Sequence, residues 1–196
     1  MNNSTNNNNN NNNTNNRMPE LSGTQTQKNL MTAAGGEARA NTKYNLYAGT
    51  AYEEGLATVG DLLENLSHQE KEHAEIWMNY LGEIGTTQKN LENAIFAENY
   101  EADSMYPEFQ RIAQEEGFDE IANKFRMVGE IEAHHRDLLK NVLNEYNEGT
   151  LYAGGNDDTM WQCTNCGYIV SGPEAPERCP VCYYIRGYFQ RLGNQQ

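Results

Sequence analysis

The sequence predicts a mainly α-helical chain, in which a four-helix bundle is followed by a small metal-binding ribbon. A helical hairpin pattern occurs twice between residues 26 and 146, and four cysteines near the C-terminus form two Cys-x-x-Cys pairs. Repeated hairpins favour a bundle, and paired cysteines favour a metal site. A length of 196 residues suits one mid-sized domain and one small domain.

The charge balance excludes two classes of partner. Lys and Arg number 14 and Asp and Glu number 28, which gives a net charge of −14. Nucleic acids and anionic lipid surfaces are both bound by basic patches, so we expect neither partner. No apolar run reaches the roughly 18 residues of a membrane span. The clustered cysteines are typical of a metal site in a reducing compartment, so we expect a cytoplasmic protein.

The first 21 residues differ in composition from the rest of the chain. Residues 1–16 contain twelve Asn and no charged side chain. Such a segment has too few apolar side chains to offset the entropy of ordering. We therefore expect a disordered Asn-rich tail over residues 1–21, to which we assign no function.

The helical domain, expected over residues 22–147, contains an internal repeat. The two copies are offset by 61 residues at their start and by 62 residues after a one-residue insertion in the second copy. One helical hairpin is therefore predicted to occur twice. The matching positions are Thr26–Leu30 and Thr87–Leu91, Glu37 and Glu98, Tyr44 and Tyr106, Glu70 and Glu132, and His73 and His135.

Glycine and proline set the expected helix ends. Gly55 and Gly117 each follow a Glu-Glu pair, and glycine commonly ends a helix in the left-handed conformation. Pro107 lies inside the third helix and removes a backbone donor, so we expect a kink after Tyr106. The four predicted helices span residues 26–54, 57–82, 88–116 and 118–146.

Acidic side chains interrupt the apolar stripes of all four helices. In the second helix, Glu70 and His73 lie on the stripe that contains Leu66 and Trp77, and in the fourth, Glu132 and His135 take the same positions. Glu37 lies on the stripe of the first helix, and Glu98 and Glu101 share one face of the third. Buried carboxylates need positive partners. Two iron ions would balance five carboxylates, with two imidazoles completing the set.

This ligand pattern is that of ferritin-like di-iron bundles, in which two helices each supply a Glu and two each supply Glu-x-x-His. A lone Glu-x-x-His more often marks a solvated helix face, but two in register within a repeat favour metal. Glu101 breaks the repeat, since it corresponds to Ala40. It is either a seventh ligand that makes the two metal positions inequivalent or a surface acid beside Glu98.

The C-terminal ribbon is expected over residues 161–196, after a linker at 148–160. Its four thiolates suit one tetrahedral ion. Zinc is the usual occupant of such ribbons, but a one-electron iron centre could pass electrons to a di-iron bundle. We expect an apolar shell around the metal. The ligands are Cys163, Cys166, Cys179 and Cys182, and the expected shell is Trp161, Tyr168, Tyr183 and Phe189.

These motifs resemble the rubrerythrin family over about residues 22–192. The similarity covers both halves of the chain in the same order. It departs from the common pattern in the short connection near Leu81–Thr86 and in the Asn-rich extension. The motifs that carry it are Lys28–Leu30, Gly36-Glu37, Gln69–Ala74, Ala97–Asn99, Tyr106–Phe109, Phe125–Met127, Cys163–Tyr168 and Ala175–Cys182.

The resemblance implies a role for each ligand. Glu37 and Glu98 would be terminal ligands, Glu70 and Glu132 would bridge the ions, and His135 would bind the second iron. His73 and Glu101 would exchange on the first iron with oxidation state. Tyr44 and Tyr106 would donate hydrogen bonds to ligand carboxylates, and the alternative for each is an ordinary core tyrosine.

The resemblance also implies an activity and its partners. The chain would reduce hydrogen peroxide at a non-haem di-iron centre, with electrons passing from an NADH-dependent rubredoxin reductase or rubredoxin through a rubredoxin-type Fe(Cys)4 iron. A head-to-tail homodimer would bring one chain's cysteine site near the other chain's di-iron site. The alternatives are a ferritin-like ferroxidase or iron-binding protein and a zinc-ribbon interaction module.

Overall fold

The computed structural model describes residues 19–193, so most of the expected Asn-rich tail lies outside the described residues. The elements in chain order are α1 (Gln25–Glu53), α2 (Ala57–Leu81), α3 (Thr87–Tyr100), a π-helical segment (Glu101–Met105), α4 (Tyr106–Glu115), α5 (Asp119–Glu148), β1 (Met160–Cys163), β2 (Ile169–Ser171), a 3₁₀ turn (Arg186–Tyr188) and β3 (Phe189–Arg191). The mainly helical chain with a small C-terminal sheet confirms the predicted fold class.

Helices α1 and α2 form the first hairpin, which we call hairpin A. Thr24 caps the start of α1, since its side chain accepts a hydrogen bond from the Gln27 amide. Gly55, with φ of +79°, ends the hairpin's first helix as predicted. The two helices pack through small side chains, which lets their backbones approach closely. These buried residues are Ala34, Ala48 and Ala51 on α1 and Gly60, Ser67 and Ala74 on α2.

The second unit of the chain begins at Gly85 and contains a related hairpin, hairpin B, in which α3 and α4 pack against α5. Ala122 and Gly129 of α5 are buried and correspond to Gly60 and Ser67 in the repeat. The Cβ atom of Tyr106 lies 3.0 Å from the place where a Cβ on Gly129 would be. Glycine at position 129 therefore allows Tyr106 to pack directly on the α5 backbone.

The third predicted helix is one continuous helical stretch with a π-helical segment inside it. The predicted kink after Tyr106 is wrong in position, because the irregular segment precedes Tyr106 and Pro107 lies in the first turn of α4. Proline has no amide hydrogen and clashes with the carbonyl four residues earlier. The wider π turn, closed by a bond from the Tyr106 amide to the Glu101 carbonyl, accommodates both effects.

The π-helical segment also accounts for the one-residue insertion in the repeat. Glu98 and Tyr106 are eight residues apart, whereas Glu37 and Tyr44 are seven apart in the uninterrupted helix α1. A π-bulge takes up one additional residue within a helix. The insertion seen in the sequence is therefore located at Glu101–Met105.

The C-terminal ribbon is a three-stranded antiparallel sheet with the strand order β2-β1-β3. Its core is formed by Trp161, Cys163, Ala175, Cys179 and Phe189, with Tyr152, Tyr168 and Val170 packed against it. The expected shell is wrong for Tyr183, which is 73% exposed. Tyr183 lies in a left-handed turn, with φ of +61°, and its ring is not part of the ribbon core.

The predicted linker at 148–160 is packed against the ribbon. The Ala175 amide donates to the Tyr152 carbonyl, and the Gly155 amide donates to the Pro173 carbonyl, at 2.8 and 2.9 Å. Arg191 joins the ribbon to the end of hairpin B: its guanidinium lies over the Trp161 ring, donates to the Ala153 carbonyl and faces Glu145 at 3.7 Å. The segment connects the two parts through specific contacts.

Candidate metal centres

Hairpin A brings three potential ligands together on one surface. One oxygen each of Glu37 and Glu70 and a ring nitrogen of His73 lie within 4.8 Å of one another. His73 Nδ1 is 2.8 Å from Glu70 Oε2, which follows from their i,i+3 spacing on α2. Glu37 reaches the group from α1. The Glu70 side chain is 18% exposed, whereas that of His73 is 50% exposed.

Hairpin B contains a matching group at the corresponding positions of the repeat. Ligand atoms of Glu98, Glu132 and His135 also lie within 4.8 Å of one another. His135 Nδ1 is 2.7 Å from Glu132 Oε2 and 3.8 Å from Glu98 Oε2. Each hairpin therefore presents two carboxylates and one imidazole, a donor set that suits iron, manganese or zinc.

The electrostatics of hairpin B favour a bound cation. Glu98 Oε2 is buried and has no hydrogen-bond partner among the described residues. Burial, followed by the neighbouring Glu132 carboxylate, raises the pKa of Glu98, and Glu101 acts in the same direction. Acidic groups crowded together in a desolvated place are stabilised by a metal ion. The residues present therefore fit the di-iron centre that the ligand pattern implies.

Two further residues of the predicted site, Glu101 and Tyr106, lie close to the ligand group of hairpin B. Glu101 is half-buried at the first position of the π-helical segment, and Tyr106, at the start of α4, is half-buried as well. Burial, followed by the charges of Glu101, Glu132 and Glu98, raises the pKa of Tyr106. Tyr44 is half-buried in α1. Within residues 19–193, neither tyrosine hydroxyl makes a hydrogen bond to a ligand carboxylate.

Aromatic packing fixes the position of Tyr106. Its ring lies edge-on to Phe109, with 6.3 Å between ring centroids, and 6.1 Å from Phe125 of α5. Such pairs add specific orientation to apolar burial. This packing holds Tyr106 near Glu98 and Glu132, whose charges raise its pKa.

The four cysteines converge on one point in the ribbon. Cys163 Sγ and Cys182 Sγ are 3.7 Å apart, and Cys166 Sγ and Cys179 Sγ are 3.6 Å apart. A metal–sulfur bond of about 2.3 Å in a tetrahedron separates sulfur atoms by about 3.8 Å. The observed separations therefore fit one ion bound by four thiolates.

Two backbone turns of the same form present the cysteines. The Gly167 amide donates to the Cys163 carbonyl and the Cys163 amide to the Tyr168 carbonyl; the second turn repeats this pattern at positions 183, 179 and 184. Gly167 has φ of +80°, and Tyr183 takes the equivalent left-handed position. A tyrosine there gives no sequence signal of this conformation, so the second turn could not be predicted in detail.

The thiols of the two turns differ in acidity. A backbone hydrogen bond at Tyr184 lowers the pKa of Cys182 to about 6. At Cys166 a backbone hydrogen bond at Tyr168 acts to lower the pKa, but partial burial and the neighbouring thiols outweigh it and raise the pKa to about 12. Metal binding by this group therefore requires release of protons from the thiols.

Comparisons with known proteins identify both parts of the chain. The family model described as Rubrerythrin matches residues 28–143, and the model described as Rubrerythrin, rubredoxin-like domain matches residues 161–190.

Among the described residues, no helix combines the length and apolar character needed to cross a bilayer.

Individual relatives match over most of the chain. Rubrerythrin of Nitratidesulfovibrio vulgaris is 34% identical over 90% of this chain and 98% of its own length. Rubrerythrin of Porphyromonas gingivalis is 34% identical over 88% of this chain and 92% of its own length. A solved structure of nigerythrin in a partially reduced state aligns with 90% of each chain at 27% identity, with a TM-score of 0.34.

The family accounts for both groups of ligands. The two Glu-Glu-His groups are the residues of a di-iron site, and the four cysteines form the rubredoxin-like motif for a single iron. The zinc alternative for the ribbon is therefore set aside. The chain belongs to the rubrerythrin family of non-haem di-iron proteins, which are generally associated with peroxide scavenging.

Proposed function

We propose that this protein is a peroxidase that reduces hydrogen peroxide to water, with electrons delivered through its cysteine-bound iron from an NADH-dependent reductase. The observation that supports this most strongly is the combination of two matching Glu-Glu-His groups with a four-thiolate site in one chain. The first can hold two redox-active ions, and the second can carry one electron at a time.

The acidic residues have different proposed roles in binding the two iron ions. Reduction of one peroxide takes two electrons and two protons and releases two waters, and the two ferrous ions supply one electron each when bound. When the centre is loaded, Glu37 and Glu98 would hold the ions as terminal ligands, and Glu70 and Glu132 would hold them as bridging ligands. Glu101 and His73 would be alternative ligands of the first iron in its two oxidation states. The second iron would have no such alternative, because the first repeat has Ala40 at the position of Glu101.

Tyr106 and Tyr44 act as positioning residues for the carboxylates. The raised pKa of Tyr106 keeps its hydroxyl protonated, so it can donate a hydrogen bond to a ligand carboxylate. Tyr44 occupies the same place in the repeat and has the same role toward hairpin A. In the iron-loaded centre both hydroxyls would donate hydrogen bonds that fix the orientation of the ligand carboxylates.

Electron delivery sets the proposed assembly. An NADH-dependent rubredoxin reductase or rubredoxin is the proposed donor, and a head-to-tail homodimer brings the cysteine site of one copy near the di-iron centre of another. We place this reaction in the cytoplasm, where four free cysteines can remain reduced as metal ligands. The acidic charge gives no surface for nucleic acid.

Anaerobic reduction followed by one equivalent of peroxide tests the proposal. We expect the absorption of both iron centres to return as peroxide disappears. Glu101→Ala should retain iron but slow peroxide turnover, whereas Glu70→Ala should lose the dinuclear site. A fully reduced, iron-loaded protein that leaves peroxide unconsumed would overturn the proposal, as would large mineral iron content, which indicates a ferroxidase.

The electron-entry role has a separate test. Cys179→Ser should abolish NADH-coupled activity, because the ribbon iron is lost, while chemically reduced hairpins still consume peroxide. Full coupled activity in this variant would show that electrons enter by another route.

A further inference from the structure

The connection between the two hairpins is short. Helix α2 ends at Leu81 and helix α3 begins at Thr87, which leaves five connecting residues. Such a segment spans at most about 21 Å from Leu81 to Thr87 when fully extended. Helix α2 has 25 residues and is about 37 Å long.

A ferritin-like bundle needs a longer connection. This fold has one long crossover, which runs along the bundle between two parallel helices. The connections inside the hairpins, at residues 54–56 and 116–118, have three residues each and join antiparallel neighbours. The crossover can only be residues 82–86, and these fall about 16 Å short of the length of α2. One chain cannot place both of its hairpins in the same ferritin-like bundle.

Both hairpins leave the same apolar face exposed. On α2, Val59, Ile76 and Tyr80 are 46%, 46% and 56% exposed. Their repeat partners on α5 are exposed to similar degrees, from 39% to 49%. These partners are Ile121, Leu138 and Val142. Since the two faces occupy equivalent repeat positions beside the ligand groups, they are suited to pack against each other.

Each metal-ligand group is also incomplete. A di-iron site needs the carboxylates and histidines of both hairpins, and each hairpin supplies two Glu and one His, with Glu101 in addition on hairpin B. Apolar burial and ligand completion therefore require the same event, the pairing of a hairpin A with a hairpin B.

We propose that two copies of this chain exchange hairpins, so that each di-iron site takes Glu37, Glu70 and His73 from one copy and its remaining ligands from the other. Short hinge connections favour such exchange. The proposal rests on the di-iron centre of the proposed function and adds that this centre is shared between chains. A lone copy cannot complete it.

Complementation between two defective variants tests the exchange. Chains carrying Glu70→Ala and Glu132→Ala are given different tags, co-expressed, and purified as mixed dimers. Exchange pairs the intact hairpin A of one chain with the intact hairpin B of the other. We expect about half of the wild-type di-iron content and about half of the wild-type peroxide turnover.

A matched pair provides the control. Glu37→Ala and Glu70→Ala both alter hairpin A, so their mixed dimer has no intact site and should bind no iron pair. Iron counting separates the two proposals: restored iron without peroxide turnover contradicts the peroxidase but supports exchange. An active wild-type dimer whose Glu70→Ala and Glu132→Ala mixture restores no iron contradicts exchange.

A longer connection provides a second variant with intact ligands. Insertion of about fifteen Gly and Ser residues after Glu83 would let both hairpins of one chain meet. We expect each extended chain to complete a di-iron site by itself, with full iron content, so that a mixture of Glu70→Ala and Glu132→Ala made in the extended chain no longer restores iron in metal analysis. A wild-type chain that is monomeric with a complete iron pair, or an extended mixture that restores as much iron as the mixture of normal length, would overturn the proposal.

Discussion

Deletion of Ser104 tests whether the π-helical segment exists to absorb one residue. An α-helix turns about 100° per residue, so the eight-residue step from Glu98 to Tyr106 would exceed two turns by about 80°. The seven-residue step from Glu37 to Tyr44 falls about 20° short of two turns. In a regular helix, the inserted residue would rotate Tyr106 by about 100° away from Gly129.

The deletion should therefore restore a regular α-helix with Tyr106 still packed on Gly129. We expect the free energy of unfolding to change by less than about 1 kcal/mol, since Ser104 is exposed and the removed turn is irregular. Chemical denaturation followed by far-ultraviolet circular dichroism measures this change.

Deletion of Thr42, which corresponds to Ser104 in the repeat, is the matched control. Helix α1 has no irregular turn there, so the deletion rotates Ala48 and Ala51 by about 100° away from α2. Loss of that packing should cost roughly 3 kcal/mol or more. Equal destabilisation by the two deletions would refute the assignment of the insertion to the π-helical segment.

Three further expectations follow from local contacts. Ser67→Ala removes two hydrogen bonds between Ser67 and Asn41 inside hairpin A, one donated and one accepted by the Ser67 hydroxyl, each at 2.9 Å. The free energy of unfolding should fall by about 1–3 kcal/mol, and an unchanged midpoint of chemical denaturation would contradict this. Partial burial and a hydrogen bond to Asp61 raise the pKa of Tyr52 to about 12, so the stability that this group contributes below pH 10 should be lost as the pH rises to 12. Tyr52→Phe should remove this pH dependence, as measured by urea titrations at both ends of the range. Removal of the ribbon metal by a chelator should expose Trp161 and shift its fluorescence to longer wavelength, because the ribbon core includes two of the cysteine ligands. The helical circular dichroism should stay unchanged, and an unchanged Trp161 emission would show that the ribbon folds without metal.

Patterns of local spacing made much of the molecule predictable. The i,i+3 spacing of Glu70 and His73 places both side chains on one helix face whatever the surroundings, and the structure joins them at 2.8 Å. Gly55 ended its helix as expected because only glycine takes that backbone conformation without strain. The separations of the cysteines along the chain likewise predicted their convergence on one ion.

Features that depend on packing could not be predicted in this way. The sequence did not show whether the extra residue of the second repeat is accommodated before or after Pro107. The contact of Tyr106 with Gly129 favours a position before Pro107, where the π-helical segment lies. The exposure of Tyr183 depends on a left-handed turn that its side chain disfavours but the metal-binding loop imposes.

The sequence by itself determined which residues can bind metal, since ligand type and helical periodicity are local properties of the chain. Only the tertiary structure showed that the extra residue of the second repeat forms a π-helical segment before Tyr106, and how Arg191 secures the ribbon through the segment after α5. The physical reason is that packing joins parts of the chain that are distant in sequence. Which surfaces pack together depends on small residues, on carbonyl acceptors and on the length of the connections, and local spacing does not show these effects.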